Sequence, residues 1–278
     1  MRSILFFNFF FVGVYFLYAQ TIPVWFWKNP KLCPPGYAQV PALPGYASTD
    51  FCVGAYEAKN VGGVAVSQPT GTPWGSVTRA EAIAGCQANG SRYDLISNDQ
   101  WQAIARNIEN VATNWSSGVV GSGAINRGNS ASSSSVTACA GTDGLYGSNG
   151  GSGCTSTVNF ALKRTHTLSN GQVIWDFAGN VNEWVKDANV NYSLTQFISQ
   201  VTNTTAKAMF GPGGTYTSLN SGEYGGLGKL NSFSAGGATF RGGNWGEGTT
   251  SGIFRAETAF NNTDRFDDIG FRCVYQIP

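Results

Sequence analysis

Two carboxylates, Asp176 and Glu183, flank a glycine-containing turn in "VIWDFAGNVNEWVKD". Hard oxygen donors are what Ca²⁺ takes, and Gly179 would let the backbone fold back with its carbonyl exposed. The same residues also suit an Asp-Gly-Asn turn with a solvated glutamate and no ion. His166 is the one histidine of the chain. A facial triad of two histidines and a carboxylate therefore cannot be assembled. A Ser-His-Asp arrangement is possible on paper, but "KRTHTLSNGQ" brings no nucleophile elbow with it. The six cysteines are Cys33, Cys52, Cys86, Cys139, Cys154 and Cys273. Their even number and the lack of a C-x-x-C pair favour disulfides over zinc or redox chemistry. Six thiols allow fifteen pairings. Spacing suggests two local bridges, Cys33–Cys52 and Cys139–Cys154, which leaves Cys86–Cys273 as the long one.

The elements that would hold these groups are short. "DFCVGAYEAKN" alternates as a strand with one buried face. "SVTRAEAIAGCQANG" opens a helix at Thr78, with Glu81 at capping-box spacing. Ala82, Ile83 and Cys86 would face inward, and Gly90 follows the end. A second helix is predicted from Ser97 or Asn98, with Trp101, Ile104, Ala105 and Ile108 as its apolar stripe. "QVIW" reads as a strand entering the turn. Residues 116–153 are rich in Gly, Ser, Ala and Asn. Cys139 within it and Cys154 just after it argue for a stapled loop there rather than a linker.

Composition narrows the class. The chain has 278 residues, 37 glycines, 13% aromatic and only 12% charged residues, the mix of a loop-rich ordered domain rather than a disordered one. Residues 1–19 combine Arg2, an apolar run and small Ala19, the layout of a signal peptide. The run is short for a spanning segment, and no later stretch could span a bilayer. Removing it takes away one basic residue and no acid, leaving 16 basic and 16 acidic residues. Such a surface creates no field for nucleic acid or anionic lipid. Partners are then proteins, sugars or small molecules, and the expected location is secreted, periplasmic or cell-surface. Residues 20–32 form an extended aromatic lead-in, which could pack on another subunit in an oligomer. Residues 33–278 form the domain.

The 173–187 stretch resembles the "DxxGNVxEW" signature of the formylglycine-generating enzyme (sulfatase-modifying factor) family, which shares the C-type-lectin-like fold. The close "FRGGNW…FRAETAFNNTDRFDDIGFRCVY" is similar to the family's "RGGSW…R.A.R…P..R…GFR". "FCVGAYEAKN", "PWGSVTRAEAIAGC" and "LISNDQWQAIARN" resemble its opening strand and two helices. Together these cover Cys33 to Tyr275. The resemblance implies an α+β fold, rich in irregular structure and disulfide-stapled, with Cys86–Cys273 tying the first helix to the final strand. It also implies Ca²⁺ held by Asp176, by the carbonyls of Gly179 and Val181, and by Glu183.

The family's enzyme oxidises a substrate cysteine with copper held by two thiolates, soft ligands that select Cu(I). The corresponding positions here lie near Glu247 and Gly252, so no copper is expected. Trp245, Glu247, Thr249, Thr250, Ile253, Phe254, Glu257, Phe260, Asn261, Asn262, Phe266, Asp267 and Asp268 then make a mixed aromatic and polar face suited to binding. This arrangement also resembles the variable proteins of diversity-generating retroelements. The reading is an exported, non-catalytic binding or adhesion module on a calcium-stabilised fold, with a protein or glycan ligand at a cell surface. The alternative is an enzyme of the same family with an altered active site.

Overall fold

Side-chain caps start both long helices. In the computed structural model, Thr78 accepts from the Glu81 amide while Glu81 reaches back to the Thr78 amide, opening the helix Arg79–Gln87. Ser97 and Gln100 form the same reciprocal pair at the head of the helix Asn98–Glu109. Each box satisfies two amides that helix geometry would leave without partners. Trp101, Ile104, Ala105 and Ile108 are all fully buried, as their spacing requires. Ala82 and Cys86 are buried too, while Ile83 is half-buried. The structure describes residues 32–135, 137, 159–187, 193–232 and 237–278. Leu32–Pro278 form one compact unit. The expected signal peptide, the lead-in up to Lys31 and the Cys139–Cys154 pair lie outside the described residues.

Two sheets carry the unit. One is antiparallel, in the order Tyr37–Val40, Phe51–Gly54, Cys273–Gln276, Tyr93–Leu95. The other has six strands, in the order Leu194–Phe197, Lys229–Ser232, Ala256–Phe260, Ala238–Arg241, Asn182–Trp184, Ile269–Phe271. The chain end belongs to both. Ile269–Phe271 closes the six-stranded sheet, Arg272 makes the crossing, and Cys273–Gln276 lies in the four-stranded one. The single strand expected in "DFCVGAYEAKN" is two, Phe51–Gly54 and Ala58–Val61, because the chain bends between them and sends Glu57 inward.

The core falls into two clusters. The larger contains Trp101, Phe177, Ile253, Phe254 and Phe210; the smaller contains Trp184, Phe240, Phe271 and the Cys86–Cys273 pair. Trp101 stacks on Phe177 at 4.0 Å between ring centres, and its indole N–H donates to the Ile253 carbonyl at 2.8 Å. A buried tryptophan needs such a partner for its N–H. The structure contains the Cys33–Cys52 and Cys86–Cys273 disulfides, and there is no free cysteine among the described residues. The long bridge fixes the first helix to the last strand and closes a separation of 187 residues. Among the described residues no helix is long and apolar enough to cross a membrane. The fold is α+β and rich in irregular structure.

Candidate functional site

The motif turn runs from the strand Val173–Trp175 to the strand Asn182–Trp184. It needs three residues in the left-handed region, Asp176, Gly179 and Asn180, a conformation that glycine, Asn and Asp tolerate best. Both carboxylates point inward and each is gripped by a guanidinium. Arg164 donates to Asp176 through Nε at 2.6 Å and Nη2 at 2.5 Å. Arg272 donates to Glu183 through Nε at 2.7 Å and Nη2 at 2.5 Å. Arg272 also donates to the carbonyls of Gly54, Trp175 and Asp176, so one side chain at the crossing joins both sheets to the turn. Glu57 is the third buried acid. It accepts from the Asn180 side chain at 2.6 Å and from the Val181 amide at 3.1 Å. Lys59 stands 3.9 Å from it. Three acids and three bases thus share one interior. Burial pushes Glu57 upward, with the Asp176 charge adding to the shift. Burial also raises Glu183 against the pull of Arg272.

This donor set does not fit the calcium ion expected at Asp176, Gly179, Val181 and Glu183. A divalent cation there would have to break two bidentate ion pairs and then sit beside the displaced guanidiniums. The turn also presents N–H groups to the cluster, and what accepts from them is the side chain of Glu57. Guanidinium groups do here what a cation would do for the two carboxylates. His166 is fully buried, with Nε2 3.0 Å from the Asn126 carbonyl. Facing a carbonyl, that nitrogen is the donor. Burial lowers its pKa to about 3, so the ring is neutral and structural rather than a base beside a hydroxyl.

The turn supports the C-terminal loops. The Trp245 amide donates to the Asn180 carbonyl at 3.2 Å, and the Trp245 carbonyl accepts from Ser132 at 2.8 Å. Glu247 sits at the first expected thiol position. Arg255 holds it with two bonds, 2.9 and 2.8 Å long. Gly252 sits at the second. A Cβ on Gly252 would lie 2.4 Å from the Gly228 nitrogen and 2.5 Å from the Leu227 carbonyl carbon. The space a side chain at Gly252 would need is thus filled by backbone.

The structure divides the expected ligand-binding residues. Ile253 and Phe254 are 0% exposed and belong to the core; they back the face and cannot touch a ligand. Glu257 is 5% exposed and ends a polar ladder across the sheet. Thr195 lies opposite Asn231, and Asn231 beside Glu257, in register on three adjacent strands. Thr195 Oγ1 donates to Asn231 Oδ1 at 2.8 Å, Asn231 Nδ2 donates to both Glu257 oxygens at 2.7 Å, and Arg255 completes the row to Glu247. Burial raises the Glu257 pKa. Trp245, Glu247, Thr249 and Thr250 are half-buried around this ladder. A second group forms on the segment 260–268. Phe266 is 42% exposed and meets Phe260 edge-on at 5.3 Å, with Asn261, Asn262 and Asp267 exposed beside them. Asn244 donates to Asp268 at 2.6 Å and ties the two loops.

Sequence reasoning missed Thr195, Asn231, Arg164, Glu57 and Lys59 as parts of this construction. Thr195 and Asn231 fall in a stretch with no motif, and only strand register joins them to Glu257. Arg164 precedes the motif by a segment that has no recognisable pattern. A hint existed for Glu57 and Lys59, since acid and base at period two inside a buried strand pattern need partners.

This combination of fold, motif turn and C-terminal close defines a class of domain. A profile of the sulfatase-modifying factor enzyme 1-like domain matches residues 46–277. The chain belongs to that family and carries its C-type-lectin-like fold. A comparison with curated proteins returned no match. Among solved structures, the chain is similar to the Major Tropism Determinant P3c variant at 16% identity and a TM-score of 0.44, over 89% of this chain and 54% of that one. It is similar to Treponema denticola variable protein 1 at 16% identity and TM-score 0.39, over 86% and 92% of the two chains. PvdO from Pseudomonas aeruginosa gives 16% identity and 0.38, over 89% and 96%. The chain spans about half the length of the Major Tropism Determinant chains it matches.

Proposed function

We propose that this chain is an exported, non-catalytic binding module that presents a protein or glycan ligand with the face built from its C-terminal segment. The observation that carries the reading is the packing at Gly252. The site where the family's chemistry requires a sulfur is occupied by neighbouring backbone, and its companion position holds a glutamate clamped by Arg255. What remains around them is polar and aromatic: Trp245, Thr249, Thr250 and the Thr195–Asn231–Glu257 ladder, with Phe260, Asn261, Asn262, Phe266 and Asp267 beyond the Asn244–Asp268 tie. Aromatic anchors among small polar groups on a rigid support are the ingredients of a binding face. Two formed disulfides and the apolar N-terminal run support export to an oxidising space.

The test is capture on glycan and cell-surface protein arrays. The wild-type chain is compared with a variant carrying Thr249→Ala, Thr250→Ala, Asn262→Ala and Phe266→Ser, none of them fully buried. The reading expects a ligand that the wild type retains and the variant loses at unchanged Tm. A ligand retained equally by both, or turnover of a cysteine peptide with oxygen, would overturn it.

A further inference from the structure

Lys59 is 4% exposed, yet among the described residues its ammonium has no hydrogen-bond partner. Its sole neighbour of opposite charge within ion-pair reach is the Glu57 carboxylate, at 3.9 Å and beyond hydrogen-bond distance. An ammonium carries three donors, and the single distant carboxylate leaves them to whatever occupies the adjacent cavity. The donors have somewhere to go. Lys59 forms part of the wall of a pocket of about 300 Å³, together with Asn60, Gln68, Thr72 and Trp74. The pocket lies between the strand Ala58–Val61 and the loop that follows the strand Val64–Ser67. The Trp74 amide holds that loop down by donating to the Ala58 carbonyl at 2.8 Å. Among the described residues, Lys59 is the one charged residue on the wall.

We propose that this pocket binds a small organic monoanion, a carboxylate, through the Lys59 ammonium, at a site separate from the C-terminal face. A carboxylate oxygen would accept the short, charge-assisted bonds that no protein group accepts. The Asn60 and Gln68 amides supply further donors at the wall, and the Trp74 ring supplies apolar surface for the body of the ligand. A single negative charge is favoured over a double one. Burial lowers the Lys59 pKa, and Glu57 and Asp176 oppose that shift from the protein side; a dianion would feel the repulsion of those acids twice over. The interior behind the pocket balances three acids against three bases, so a monoanion meets no excess of negative charge.

The experiment is a ¹H–¹⁵N NMR titration of the purified chain with its disulfides intact. The probes are sodium acetate and sodium glucuronate. Sodium chloride at matched ionic strength, glucose and inorganic phosphate serve as comparisons. The proposal expects saturable shifts at residues 59–60 and 68–75 with both carboxylates and none with glucose or chloride. Gln68→Glu places a negative charge on the wall at a half-buried side chain whose amide donates one long bond, 3.3 Å, to the Thr70 carbonyl. It should weaken carboxylate binding roughly tenfold or more at unchanged Tm. Lys59→Met should abolish binding. Should that variant fail to fold, because it strands Glu57, the Gln68→Glu result still decides. The proposal is overturned by an absence of saturable shifts, which leaves the ammonium to water. It is equally overturned by chloride acting as well as acetate, by phosphate binding more tightly than either carboxylate, or by Gln68→Glu titrating as wild type.

Discussion

Replacing Arg272 with methionine removes five hydrogen bonds at the point where the chain end passes between the sheets. Two go to Glu183 and one each to the carbonyls of Gly54, Trp175 and Asp176. Methionine fills a comparable apolar volume, so the cost is electrostatic and not chiefly a cavity. Glu183 is fully buried and would be left without its partner, so it must either stay charged in the interior or take up a proton, and both cost stability. Breaking a buried pair in this way costs roughly 3–5 kcal/mol. In a domain of this size 1 kcal/mol moves Tm by about 2–4 °C, so Tm should fall by roughly 6–20 °C. The assay is urea unfolding followed by tryptophan fluorescence, with the disulfides kept oxidised. Glu183→Gln and the double variant complete a cycle. Once the arginine is gone, neutralising Glu183 should recover stability, giving a coupling of at least about 1 kcal/mol. A loss below about 1 kcal/mol for Arg272→Met, or strictly additive single changes, would refute the claim that this pair organises the junction.

Further outcomes follow from other sites. Burial raises Glu109 to about 7 from an ordinary 4.5, although its Oε1 accepts from the Gly213 amide at 2.6 Å and Tyr216, Arg106 and Lys207 are nearby. The folded chain therefore holds this proton more tightly than the unfolded one. The associated stability is complete below pH 4.5 and is lost as pH rises through about 7. Thermal unfolding from pH 5 to 8 should show that decline, to which buried Glu57, also raised, adds, and Glu109→Gln should reduce the slope; a decline of equal slope in the variant would contradict the assignment. Chelation with EGTA should leave Tm unchanged, because Asp176 and Glu183 are held by arginines. A fall restored by Ca²⁺ and absent in Asp176→Asn would contradict this. Gly252→Ala should destabilise by roughly 1–3 kcal/mol or more, since its methyl would meet backbone at Leu227 and Gly228 that cannot rotate away. Urea unfolding within 0.5 kcal/mol of wild type, on the order of a neutral surface change, would show that the space exists.

Local rules were the legible part of the sequence. Thr78 with Glu81, and the stripe from Trp101 to Ile108, announce their helices because caps and periodicity act over a few residues. The motif turn was legible as a turn for the same reason, Gly179 and Asn180 being residues that accept its backbone conformation. The content of the turn was not. Oxygen-rich residues read as cation ligands, and nothing local shows that Arg164 and Arg272 arrive to take both carboxylates. The face shows the same limit. Alternation along residues 253–257 does not reveal that Ile253 and Phe254 point into the core beneath Trp101, nor that Glu257 is tied to Asn231 on a strand paired in parallel with it. Contacts of that kind are fixed by register between strands distant in sequence.

A titration of Cu(I) against a competing chelator, on the purified chain with disulfides intact, addresses the central claim most directly. With Glu247 clamped and Gly252 walled in by backbone, the chelator should keep all of the metal. One copper per chain, held tightly and lost on Glu247→Ala, would mean that the pocket still grips a metal and that the reading of this domain as a display surface is wrong.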